Sequence, residues 1–308
     1  MSKQQTVSIV EVGARDGLQN EKEILSTSDK LEFIQLLIES GVKTLETTSF
    51  VRADRIPQMG DAERLYKEIK EKWSDKDIDF YCLVPNLKGF EIAKSVGVKN
   101  IALFTATSDT FNKKNTNATV LESLDRFNSI FSGLDKTIKV RGYISTVFGC
   151  PYDGKVNDQH KDTLYNVIEY YLKNNVSDIS LGDTIGVSNP ELTEKILSEV
   201  KSRFGADKIS LHFHDTYGRA LANIAKAYEL GFHSFDSSAG GLGGCPYAKG
   251  ATGNVATEDV LDLFHEMGVE TGIDVSQFMK ATEYIFSKLS KPVPSKAYHA
   301  LMAKKGSS

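Results

Sequence analysis

Several things are scarce in this 308-residue chain, and each scarcity excludes something. Only three cysteines occur, Cys82, Cys150 and Cys245. An odd, sparse set is no disulfide framework; it reads as reduced thiols in a reducing compartment. No apolar run reaches the roughly 18 residues that a spanning helix needs, so no membrane partner is expected. Net charge is only −4, so the basic footprint of a nucleic-acid partner is missing. A single basic pocket for a phosphate group remains compatible with that balance. The opening residues, MSKQQTVSIVEV, carry neither an apolar signal core nor an Arg-rich amphipathic transit pattern. The closing LMAKKGSS is not a peroxisomal address. The expected compartment is therefore the cytoplasm. No G-x-G-x-x-G follows the first apolar run, which removes the main sign of a dinucleotide-binding fold.

What the chain does have is alternation. Short β-rich runs recur at 7–12, 44–50, 79–84, 100–107, 138–148, 178–183, 209–214 and 233–241. Amphipathic stretches of helical length lie between them. One runs over 28–41, with Ser28 read as its cap and Gly41 as its stop. Others cover 62–73, 123–133, 164–175, 189–205 and 219–231; in the last, Leu221, Ile224, Ala225 and Tyr228 share a face. The polar stretch 108–119, with Lys113 and Lys114, reads as solvated surface or as a phosphate contact, and Lys22 has the same two readings. Eight strand–helix units argue for a parallel sheet closed as an α/β TIM (β/α)8 barrel, with an open doubly wound sheet as the rival. Residues 1–273 are assigned to the barrel. Residues 274–308 are assigned to a C-terminal helical extension packed on it, with a partly disordered tail.

In such a barrel, chemistry sits at the C-terminal ends of the strands. Five polar clusters fall there: RDGLQNE, ETTSF, LGDTIG, HFHD and GGLGGCPYAKGATGN. Gathering polar groups at one end is costly without a purpose. His212 and His214 lie two apart on a strand, so both point to one face. They suit a divalent metal, or else form a pair of hydrogen-bonded structural histidines. Asp16 is the candidate third ligand and Asn254 the fourth, since the first, seventh and eighth strands are neighbours across the closure. Two imidazoles, a carboxylate and an amide favour Mg2+ or Mn2+ over zinc. Arg15 either holds a developing oxyanion or forms a salt bridge. Glu46 and Asp183 are read as partners that order Arg15 or a ligand, or as structural ion pairs. Cys245, on a glycine-rich loop, is a candidate acid–base group, the alternative being a small buried thiol. Cys82 is read as structural. Cys150, in a CPY that echoes the eighth loop, is read as chance or as part of the mouth.

With these residues in view, VGARDGLQNEK (12–22), SLGDTIG (180–186), LHFHDT (211–216) and SAGGLGGCPYAKGATGNVATED (238–259) resemble the 3-hydroxy-3-methylglutaryl-CoA lyase family. ETTSF (46–50) and STVFGCPY (145–152) fit too, so the resemblance covers nearly the whole barrel. It implies cleavage of an acyl-CoA substrate, 3-hydroxy-3-methylglutaryl-CoA, to acetyl-CoA and acetoacetate. It implies Asp16, His212, His214 and Asn254 as metal ligands, Arg15 on the enolate, Cys245 as its proton donor, and Glu46 and Asp183 ordering the site. The base stays open between Asp16 and a water. Some relatives carry a further C-terminal cysteine for redox regulation; none follows Cys245 here. The rivals are a Claisen-type acyltransferase condensing acetyl-CoA with a 2-oxo acid, and a non-catalytic metal- or acyl-binding barrel. A homodimer is expected from the prevalence of symmetric pairs alone.

Overall fold

The computed structural model describes residues 6–244 and 253–305. Eight parallel strands close in chain order: β1 Ser8–Glu11, β2 Thr44–Ser49, β3 Asp79–Leu83, β4 Asn100–Ala106, β5 Lys139–Ser145, β6 Asp178–Asp183, β7 Ile209–Phe213 and β8 Ser234–Ser237. Each is the centre of a run expected from the sequence. The seam is the β1–β8 pairing, with Val10 opposite Asp236 and Glu11 opposite Ser237. The open doubly wound alternative is thereby excluded. The strands are buried on both faces because helices cover the outside and side chains fill the inside.

The helices are α1 Thr27–Glu39, α2 Ala62–Trp73, α3 Leu87–Ser95, α4 Asp109–Thr116, α5 Val120–Ser132, α6 Asp158–Lys173, α7 Pro190–Phe204, α8 Ala220–Glu229, α9 Thr257–Glu266, α10 Val275–Leu289 and α11 Lys296–Lys305. Three starts, those of α1, α5 and α6, differ from the sequence reading for local reasons. Ser26, not Ser28, caps α1, because its Oγ reaches the Asp29 N–H at 3.1 Å. Reciprocal caps pull two starts earlier than expected: Thr119 with Glu122 for α5, and Asn157 with His160 for α6. The polar stretch at 108–119 holds a helix, α4. Ser108 caps it, and buried Asn112 gives its amide to the Ala118 carbonyl and Ser123 Oγ.

On α8 the fully buried face is Ala220, Asn223, Ile224 and Ala227, while Leu221, Ala225 and Tyr228 are half-buried. Small residues let the helix lie close on the sheet, and Tyr228 packs sideways on Phe264 of α9. Beyond the barrel, α10 packs against α1 and α9, and α11 against α9. After α10 the chain is helical again in α11, which runs to Lys305. Asp259 of α9 holds its start, accepting from Ser295 Oγ and the Ala297 N–H. Among the described residues, no helix is long and apolar enough to cross a membrane.

Candidate metal centre at the barrel mouth

The site begins with a turn. After β1 the chain winds through a π-helical turn, Gly13–Gly17, which aims Arg15 and Asp16 at the barrel mouth. Gly13 is required there: a Cβ would sit 2.6 Å from Glu11 Oε1. That oxygen accepts the Gly13 N–H at 2.8 Å and the Ala239 N–H at 3.0 Å, and Oε2 accepts the Thr257 hydroxyl at 2.6 Å. One buried carboxylate thus ties the Arg15–Asp16 turn to the loop after β8. Burial pushes Glu11 up to about 8.

Across the seam, β7 presents His212 and, just past its end, His214, with ring centroids 5.2 Å apart. Ligand atoms of Asp16, His212 and His214 all lie within 4.8 Å of one another. Asn254 joins them, donating its amide to Asp16 Oδ2 at 2.8 Å and to the Leu242 carbonyl at 3.0 Å. Asn254 Oδ1 and His214 Nδ1 are buried with no hydrogen-bond partner among the described residues. Unpaired buried polar atoms are costly, and two beside a carboxylate are accounted for by a cation. The donor set of one carboxylate, one amide oxygen and two imidazoles fits a hard divalent ion with open positions.

The charges agree with that use. Burial would raise Asp16, but Arg15, both histidines and the Asn254 amide overcome it and hold it at about 2. Asp16 is therefore a standing anion, and a poor general base near neutral pH. Burial, with His212 beside it, lowers His214 to about 3, so its ring is neutral. Burial would lower His212 as well, but the hydrogen bond and charge of Asp236, with Asp16, leave it above its ordinary value.

Arg15 is buried. Its Nη1 meets Asp16 Oδ1 at 2.7 Å, and its Nε donates to Glu46 Oε2 at 2.6 Å, with Nη2 also paired to Glu46. Tyr143 donates to the same Glu46 oxygen at 3.2 Å and lies under the guanidinium. Glu46 thus meets Arg15. Burial raises Glu46 against the pull of Arg15.

Asp183, read as ordering Arg15 or a ligand or else as a structural ion pair, stands at the end of β6. Its two oxygens accept the Val187 and Ser188 N–H groups at 3.0 Å each, closing its own loop after β6. Burial lifts it to about 6. Cys245 lies outside the described residues. Cys82 is buried against Thr47, and burial pushes it up to about 12. Cys150 is buried beside Phe111 and touches Ser108 Oγ at 3.2 Å, a packing role. Lys22 and Lys113 are exposed, and Lys114 is exposed with its ammonium over the Tyr152 ring.

Four groups here escaped the sequence reading: Glu11, Arg141, Tyr143 and Asp236. Arg141 and Asp236 are charges inside apolar strands, the same signal that singled out Glu46.

With the geometry in place, likeness to known proteins is informative. The HMGL-like family matches residues 6–285. "Hydroxymethylglutaryl-CoA lyase, mitochondrial" of Homo sapiens is 43% identical over 96% of this chain and 89% of its own length. "3-hydroxy-3-methylglutaryl-CoA lyase, cytoplasmic" of Danio rerio is 42% identical over 96% of this chain and 86% of its own. The crystal structure of hydroxymethylglutaryl-CoA lyase from Pseudomonas aeruginosa superposes with a TM-score of 0.92 at 41% identity, covering 99% of this chain and all of that one. By sequence and by fold alike, the chain belongs to the HMGL-like family.

Proposed function

We propose that this protein is a divalent-metal-dependent carbon–carbon lyase that cleaves 3-hydroxy-3-methylglutaryl-CoA to acetyl-CoA and acetoacetate. The observation that carries the reading is the meeting of Asp16, His212 and His214 within 4.8 Å, beside buried Arg15. Asp16, His212, His214 and Asn254 would hold the cation, Mg2+ or Mn2+ by the hardness of the set, and its charge would lower the pKa of a substrate hydroxyl.

The chain's own groups supply the rest. When the tertiary hydroxyl gives its proton to a water at the mouth, Asp16 being too weak a base to hold it, its oxygen becomes the new ketone of acetoacetate. The carbon–carbon bond breaks and its electron pair passes to the departing acetyl thioester as an enolate. Arg15, fixed by Glu46, is the charge in place to meet that enolate. Cys245 is assigned the proton that turns the enolate into acetyl-CoA. Asp183 acts on the site by closing the loop after β6. The reading includes a homodimer in the cytoplasm. Support for the compartment is that relatives bear that name as well as the mitochondrial one. Support for the dimer is the general prevalence of symmetric pairs.

The test is direct. Purified protein with Mg2+ should release acetoacetate from 3-hydroxy-3-methylglutaryl-CoA, and should release no free CoA from acetyl-CoA supplied with 2-oxoisovalerate or 2-oxoglutarate. The opposite pattern would move the assignment to the acyltransferase.

A further inference from the structure

We propose that Asp236 is a positioning residue: it sets the tautomer of His212 and turns the Nε2 lone pair of that ring toward the cation. The inference rests on the metal reading above and adds a residue to it.

His212 and Asp236 are register partners on β7 and β8, so their side chains leave the sheet on the same face. His212 Nδ1 lies 3.1 Å from Asp236 Oδ2. A carboxylate can only accept, so the hydrogen in this contact belongs to Nδ1. A neutral imidazole with its proton there has its free lone pair on Nε2. The carboxylate itself is held on two further sides. Ser180 Oγ donates to Oδ2 at 2.9 Å, and the Arg141 guanidinium pairs with Oδ1. Arg141 is in turn anchored by Asp178 at 2.6 Å. Residues of four strands, β5 to β8, thus fix one carboxylate behind one ring, with the Asp236 side chain fully buried. The two histidines are not equivalent. In His214 the Nδ1 atom has no hydrogen-bond partner among the described residues, whereas in His212 it meets Asp236.

Two measurements test this, neither of which reads turnover. In metal-free wild-type protein carrying 15N-labelled histidine, long-range 1H–15N correlations report the tautomer of each ring. His212, assigned by its loss in His212→Gln, should show the Nδ1–H form at about pH 8.5, where imidazole is neutral. An Nε2–H form would overturn the proposal. Mn2+ titration followed by electron paramagnetic resonance should give Asp236→Asn an affinity weaker by about 10- to 100-fold. Unchanged affinity in a variant with native circular dichroism would also overturn it. Should Asp236→Asn fail to fold, the tautomer measurement decides alone. Wild-type protein that binds Mn2+ but leaves 3-hydroxy-3-methylglutaryl-CoA intact would refute the lyase reading and leave the positioning role standing.

Discussion

Arg15 is held by two carboxylates on opposite sides, Glu46 and Asp16, and its burial means that few waters share its charge. A guanidinium so fixed needs no reorganisation when an enolate forms beside it. Arg15→Gln should therefore lower kcat by about 10²–10³. It should lower kcat/KM in parallel, the pattern of an interaction that matters only in the transition state. Cys245→Ser, a far weaker acid, should lower the rate by about 10²–10⁴. A wild-type rate in that variant would remove Cys245 from the chemistry while leaving Arg15 in place. Titration gives a third residue-scale expectation. A metal-binding imidazole must be unprotonated. Metal affinity should be flat above the His212 pKa, which lies above 6.5, and fall about tenfold per pH unit below it. His214, at about 3, adds no proton in that range. Calorimetric titration between pH 5 and 8 that showed two protons competing, or none, would contradict this. Arg15, Asp16 and the two histidines were legible in the sequence because charges at strand ends stand out. Asp236 and Arg141 carried the same signal as Glu46, a charge inside an apolar strand, but their partners come from other strands, so the sequence did not show what they hold.

At the scale of elements, strands were read more faithfully than helices. A buried parallel strand shows as an unbroken β-rich run, whereas a helix start depends on which of several Ser, Thr or Asn side chains turns inward. Ser26 over Ser28, and Asn157 with His160, are choices that only the fold makes. The polar helix α4 was hidden because buried Asn112 looks like a surface residue. Close packing was equally invisible. Gly142 on β5 faces the flat ring of Tyr171 on α6, and a Cβ would lie 2.5–2.7 Å from three ring atoms. Gly142→Ala should cost about 1–3 kcal/mol by overpacking. Thermal unfolding should show a lower Tm while the folded fraction keeps its activity, since the Gly142 Cβ would point away from Arg141, Tyr143 and the mouth. A Tm equal to wild type would show that α6 can shift away at no cost.

The whole molecule explains why groups 238 positions apart in the chain can meet. Asn254 reaches Asp16 only because β8 closes on β1. The barrel was legible from the alternation of strand and helix, and closure then placed the first, seventh and eighth strand ends together. The buried ties across that seam, Glu11 above all, came only with the fold. The site is accordingly a property of the closed barrel, and cleavage there is expected to need a cation. The decisive measurement is to strip the protein with a chelator, confirm that metal is gone, and add 3-hydroxy-3-methylglutaryl-CoA with and without Mg2+ or Mn2+. Equal amounts of acetoacetate and acetyl-CoA should form only after the metal returns. Full turnover in the stripped protein, or no cleavage in the reloaded one, would contradict metal-assisted lyase chemistry.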